Sequence, residues 1–141
     1  MPDILPIECD GAPKAIGPYS QAIKVDQWIY VSGQIPLDPQ TGEVAGSDIA
    51  AQTEQVMKNL EAILQFAGLQ LSNVVKTTCY LTDLGEFAQF NAVYAKHFVF
   101  NPPARATIQA AALPKGVRVE IDCVAHIPKQ HDEVEGAKPL F

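Results

Sequence analysis

"NPPARATIQAAALPKGVRVEIDCVAHI", residues 101–127, decides how the chain folds and where its chemistry sits. Asn101-Pro102-Pro103 ends the helix before it, because proline lacks an amide hydrogen and restricts the residue ahead of it. Two strands follow, about Arg105–Ala111 and Val117–Ile127, and the intervening "LPKG" reads as the turn of a hairpin. In such a hairpin Arg105, Thr107 and Gln109 share a face with Arg118, Glu120 and Asp122. The other face carries Ala106, Ile108 and Ala110 with Val117, Val119, Ile121 and Cys123, a core pattern. An arginine opening a strand needs a carboxylate or phosphate for its planar, permanently charged fork. The pattern sets Arg105 beside Glu120 on the face away from the core, and it serves an interfacial ion pair as well as a binding site.

Upstream, "DLGE" sets Asp83 three residues before Glu86, as in a capping box. It opens a helix with Phe87, Phe90, Tyr94, His97 and Phe98 along its buried side. "NVVKTTCYLTD" before it alternates as a strand, with Val75, Thr77, Cys79 and Leu81 facing one way and Val74, Lys76, Thr78 and Tyr80 the other. A longer helix runs from about Asp48 to Ala67. Ile49, Val56, Leu60, Ile63, Leu64 and Ala67 form its apolar stripe, and Gly68 stops it. Earlier still, Gln21–Val25 and Trp28–Ser32 flank Asp26-Gln27 as a hairpin, followed by the turn-rich "PLDPQTGEV". Ile4–Glu8 adds a possible edge strand.

The order is β-β-α-β-α-β-β, an α+β arrangement in which two helices cover one sheet face. Trp28, Ile29, Tyr30 and Val31 put bulk on both faces of their strand, so the uncovered face predicts a symmetric homo-oligomer. Residues 1–127 read as one domain. Residues 128–141 are polar and charged and read as a C-terminal tail.

The chain has 141 residues and a formal net charge of −6, which opposes general affinity for nucleic acid backbones. Apolar runs are too short to span a bilayer, and "MPDILPIECDG" is neither a secretory signal nor a transit peptide, so a cytoplasmic location is expected. Cys9, Cys79 and Cys123 lack a C-x-x-C pair and read as reduced thiols. With His97, His126 and His131 they show no zinc-type spacing, so no metal is expected.

"AIGPYSQA", "VSGQIPLDPQTGE", "NVVKTTCYLTDL", "NPPAR" and "LPKGVRVEI" occur in the order that marks the reactive-intermediate deaminase (Rid) family, and its RidA subgroup in particular. The resemblance spans Pro13 to about Ala125. It implies a chorismate-mutase-like fold with a mixed, mainly antiparallel sheet, and a homotrimer with clefts between subunits. It also implies hydrolysis of 2-iminobutanoate and 2-iminopropanoate to 2-oxo acids and ammonia without any cofactor. Arg105 matches the family arginine that grips the substrate carboxylate, and Glu120 the acid that positions or deprotonates water. Tyr19, Ser32, Gly33 and Asn91 match residues lining the cleft. Thr107 stands where many bacterial members have cysteine, which leaves backbone contact as that position's expected contribution. The tail exceeds the usual family length.

Two other readings stay open at this point. Family members have been described as endoribonucleases and translation inhibitors, but the chain has no basic stripe and no His pair for phosphodiester cleavage. A chaperone-like role would use the oligomer's apolar surface.

Overall fold

The computed structural model describes residues 3–129. Along the chain run β1 (Ile4–Ile7), β2 (Ala22–Val25), β3 (Trp28–Gln34), α1 (Ile49–Phe66), β4 (Val74–Leu81), α2 (Phe87–His97), β5 (Ala104–Gln109) and β6 (Val119–His126). The strands form one sheet in the order β1-β2-β3-β6-β4-β5. All pairings are antiparallel except β4 with β5. The possible edge strand at the N-terminus is therefore present, at the opposite edge from β5.

The hairpin expected at "LPKG" does not form. Pro114–Gly116 makes a single 3-10 turn with Lys115 and Gly116 at positive φ (57° and 66°). The chain around it crosses the end of β4: Ala110 N donates to Leu81 O (2.8 Å), and Thr82 N donates to Arg118 O (3.1 Å). β4 is thereby seated between β5 and β6. With α2 as the crossover, β4 and β5 can run parallel, which a short turn would not allow.

Both helices lie on one face, over a core that joins Val56, Met57, Leu60, Ile63 and Leu64 of α1 to Ile29, Val31, Ile121 and Cys123 of the sheet and to Phe90 and Tyr94 of α2. Asp48 caps α1, its Oδ1 accepting from Ala51 N (2.7 Å), and Gly68 follows the helix at φ 80°. Ala67, expected on the buried stripe, is the C-cap and packs partly buried against the core. Replacing Asp48 by alanine should lower stability by about 1 kcal/mol without altering the fold; the urea midpoint of folded Asp48→Ala checks this.

Polar side chains that no apolar stripe reveals fix the loops. Asn59 Nδ2 donates to Ile35 O (3.2 Å) and Leu37 O (3.0 Å). Gln52 donates to Gly46 O (3.1 Å) and accepts from Arg118 N (2.8 Å). Gln21, only 2% exposed, accepts from Cys9 N (2.7 Å) and donates to Pro13 O (2.8 Å), pinning the segment that carries Tyr19.

Two irregularities shift side chains between faces. In β4 the register slips between Val74 and Lys76, so Val74 is buried and Val75 exposed, the reverse of simple alternation. In β3 the pairs Val31–Cys123 and Gln34–Ile121 leave Ser32 and Gly33 opposite Asp122 alone, a β-bulge. At the start of α2, Asp83 Oδ1 accepts from Gly85 N (2.8 Å), but Glu86 turns away to Arg118 (3.0 Å), so the expected reciprocal capping box is absent. His97, expected with the buried aromatics, sits at the seam of the helices against Glu54 Oε2 (3.1 Å).

Among the described residues nothing covers the face away from the helices, where Trp28, Tyr30 and Ile108 are 39%, 49% and 47% exposed. Among the described residues, no helix is long and apolar enough to cross a membrane.

Candidate active site

The sheet register separates the two residues that the hairpin reading placed together. Arg105 pairs with Thr77, and Thr77 with Cys123, all on the helix-covered face. Glu120 pairs with Tyr80, and Tyr80 with Ile108, on the open face. Ala106 and Ile108, expected in the core, are exposed there. The error follows from the missing hairpin: once β4 lies between β5 and β6, the turn no longer sets their relative register. Within one chain, Arg105 and Glu120 thus belong to two separate groups.

The first group lies along α2 and β5. Arg105 Nη1 donates to Asn91 Oδ1 (2.8 Å), one turn into the helix. Its guanidinium carbon lies 4.8 Å from the ring centre of Tyr94, 5.4 Å from that of Phe87 and 6.0 Å from that of Phe90. These distances lie within the range of cation–π attraction. Tyr94 is held in turn by a 2.7 Å hydrogen bond between its hydroxyl and Thr77 Oγ1, and burial pushes its phenol pKa up. A depression of about 430 Å3 opens beside this group, lined by Asn91, Tyr94, Ala95, Phe98, Pro102, Pro103 and Arg105. Asn101, at φ 50°, and the two prolines turn the chain from α2 into β5 at its margin. Thr107 follows Arg105 on the same face, and its buried Oγ1 has no hydrogen-bond partner among the described residues. β5 is an edge strand, so among the described residues part of its backbone has no strand to pair with.

The second group lies on the open face. Glu120 stands over Gly33: a Cβ at residue 33 would overlap Glu120 Oε2, so only glycine leaves the carboxylate its place. The bulge of β3 presents that bare backbone. Burial, and then the charge of Asp122, raise the pKa of Glu120 above the ordinary carboxylate value. Burial likewise raises that of Asp122, which accepts a long hydrogen bond from Tyr80 Oη (3.4 Å). Ser32 ties the bulge to the preceding segment, its Oγ donating to Ser20 O (2.6 Å) and its N to Gln21 O (2.9 Å). That segment carries Tyr19, which is 51% exposed and whose hydroxyl accepts from Ile16 N (3.3 Å). In this arrangement Ser32 holds the wall, and Tyr19 is its exposed side chain.

The structure therefore brings Arg105, Asn91 and Thr107 together, and Glu120, Gly33 and Ser32 together with the Tyr19 segment. Sequence reading missed the aromatic surroundings of Arg105. Phe87, Phe90 and Tyr94 read as core, although their helical spacing with Asn91 is a signal that one face of α2 meets the arginine. Chemically, the first group offers a cation whose charge no carboxylate neutralises among the described residues. The second offers a carboxylate that holds its proton more tightly than in water.

A family model described as Endoribonuclease L-PSP matches residues 9–127. Protein DfrA of Myxococcus xanthus is 56% identical over 121 residues, covering 84% of this chain and 92% of that protein. A human protein named 2-iminobutanoate/2-iminopropanoate deaminase is 51% identical over 114 residues, covering 81% of this chain and 83% of that protein. Among solved structures, RidA from the Antarctic bacterium Psychrobacter sp. PAMC 21119 superimposes with a TM-score of 0.84 at 46% identity, covering 87% of this chain and 99% of that one. The register, the two helices on one face and the motifs from the Tyr19 segment to Glu120 all fall within the matched span, and the chain belongs to the Endoribonuclease L-PSP family, which is the reactive-intermediate deaminase family.

Proposed function

We propose that the protein hydrolyses 2-imino acids, 2-iminobutanoate and 2-iminopropanoate among them, to 2-oxo acids and ammonia without a cofactor. The observation that carries this reading is Arg105, held by Asn91 and three rings with no carboxylate partner among the described residues. A bidentate fork of that kind fits the carboxylate of a small 2-imino acid. The relatives named 2-iminobutanoate/2-iminopropanoate deaminase, in human, rat and mouse, support the same substrate class.

The two groups on opposite sheet faces act together when chains assemble as a homotrimer, with Arg105, Asn91 and Thr107 of one protomer facing Glu120, Gly33, Ser32 and Tyr19 of the next. The exposed Trp28, Tyr30 and Ile108 of the open face and the edge of β5, unpaired among the described residues, supply surface for that association. In the cleft, Arg105 binds the carboxylate and Thr107 offers backbone contact. Glu120 takes a proton from water as the water oxygen bonds to C2, and nitrogen, receiving the C=N electron pair, takes that proton to give a carbinolamine. Glu120 then moves the hydroxyl proton to nitrogen as the C2–N bond breaks, so that ammonia leaves and the C=O of the 2-oxo acid forms. The raised pKa of Glu120 makes its carboxylate a stronger base for the first half of this exchange than an ordinary glutamate. Arg105 offsets the repulsion between Glu120 and the anionic substrate.

The test is to generate the imine with an amino-acid dehydratase and to follow oxo-acid appearance. Acceleration over buffer is expected, with a particle mass of three chains by light scattering. No acceleration discards the reading. Gly33→Ala should keep the fold while displacing the flexible end of Glu120, lowering kcat about 100-fold, as expected when a catalytic group is misplaced by an ångström. Steady-state rates on the folded variant check this.

A further inference from the structure

The chain's two arginines are held in contrasting ways. Arg118 is engaged: its Nε donates to Ser47 O (3.0 Å) and its Nη1 to Glu86 Oε1 (3.0 Å), so a carboxylate already neutralises it. Arg105 is surrounded by ring carbons and by one amide oxygen. A ring face attracts a guanidinium through its quadrupole without taking up the N–H donors at the cation's edge. A carboxylate in the same place would occupy the fork and cancel the charge. The rings therefore hold Arg105 in place and leave its donors and its charge available.

The three rings are not equivalent. Phe87 is 37% exposed at the rim, and Phe90 lies farthest from the guanidinium, at 6.0 Å. Tyr94 is nearest, at 4.8 Å, and only 5% exposed. It is wedged between Phe90 and Phe98, with ring centres 5.5 and 4.8 Å away. It is also the one ring of the three with a polar tether, to Thr77 on β4. Thr77 in turn is the β4 residue paired with Arg105 in the sheet. Backbone pairing, hydroxyl tether and ring face thus connect strand, helix and guanidinium in one circuit.

We infer that Tyr94 is a positioning residue of Arg105: seated by Thr77, its ring acts with the Asn91 hydrogen bond to set the guanidinium of the unliganded protein in the orientation that receives a carboxylate. Only the identity of that carboxylate, a 2-imino or 2-oxo acid, rests on the deaminase reading. A side chain ordered before binding loses less freedom on binding, so the expected signature is affinity rather than turnover.

The experiment has one arm that needs no substrate. With two arginines, the side-chain Nε–H region of a proton–nitrogen spectrum holds two signals, assigned with Arg118→Lys. In Tyr94→Leu the Arg105 signal should lose its ring-current shift and its order parameter should fall from the rigid to the flexible range, whereas Tyr94→Phe, which keeps the ring face but loses the Thr77 tether, should retain the shift with an order parameter between the two. Tyr94→Met, whose unbranched side chain adapts to irregular space, replaces Tyr94→Leu if that variant does not fold. In the second arm, KM for the imine and Kd for 2-oxobutanoate should rise about tenfold in Tyr94→Leu, with kcat within twofold. In an Arg105→Lys background the same change should have no further effect, because there is no guanidinium left to position. An Arg105 signal equally ordered in wild type and Tyr94→Leu, or an equal loss of activity in both backgrounds, overturns the inference. A wild type that hydrolyses no imine, but whose Arg105 signal depends on Tyr94, would discard the deaminase reading and leave the positioning role standing.

Discussion

Glu120→Gln should lower kcat for imine hydrolysis by about 100- to 10,000-fold while changing KM little, the usual range for loss of a general base. Glutamine keeps the size of the side chain over Gly33, so the bulge and its surroundings have no reason to move. The wild-type pH profile carries a further signature. Burial and the neighbouring Asp122 raise the pKa of Glu120, so the acid limb of kcat/KM should lie above the ordinary glutamate value and disappear in Glu120→Gln. The same shift has a stability consequence of definite sign. A carboxyl whose folded pKa is raised binds its proton more tightly in the fold than in the unfolded chain. Its contribution is therefore fully present below the unfolded pKa and is lost as pH rises through the folded one. Asp122 behaves alike, since its pKa is also raised by burial. At neutral pH, Glu120→Gln should thus be somewhat more stable than wild type in urea while nearly inactive. Equal turnover in wild type and variant would show that the carboxylate is not the base.

Arg105→Ala should reduce kcat/KM for 2-iminobutanoate by roughly 10- to 150-fold, the equivalent of about 1.5–3 kcal/mol for a charge-assisted pair. Arg105→Lys should recover little of this, since an ammonium keeps the charge but cannot reproduce the planar fork or its contact with three rings. The loss should appear in KM and in Kd for 2-oxobutanoate, read by titration calorimetry. An imine lacking a carboxylate should be hydrolysed equally by wild type and Arg105→Ala. An Arg105→Ala variant that binds 2-oxobutanoate as wild type does would place the carboxylate elsewhere.

The elements were legible because their signals are local. The stripe from Ile49 to Leu64, the glycine after α1, the proline pair after α2 and the β-rich run Trp28–Val31 each mark an element by themselves. The arrangement was less so. "LPKG" has turn composition whether it closes a hairpin or crosses the end of a neighbouring strand. Only the long-range seating of β4 between β5 and β6 distinguishes the two. That one choice reversed the faces of Arg105 and Ala106. Val75 was misplaced by a register slip that leaves no mark in composition. The candidate site residues were named through family resemblance, but the neighbours that surround them in the fold were not. Asp122 beside Glu120, and Tyr94 beside Arg105, are ordinary strand and helix residues until the register brings them near.

The irregularity in β3 has a bearing on how such a chain can vary. Val31 and Gln34 both point inward with two residues between them, whereas a regular ladder would have one. A chain one residue shorter at this point could run straight, with every inward side chain still inward and the core intact. The surplus residue's backbone lies under the carboxylate of Glu120. A deletion at this spot is therefore the length change most apt to yield a sound but inert protein.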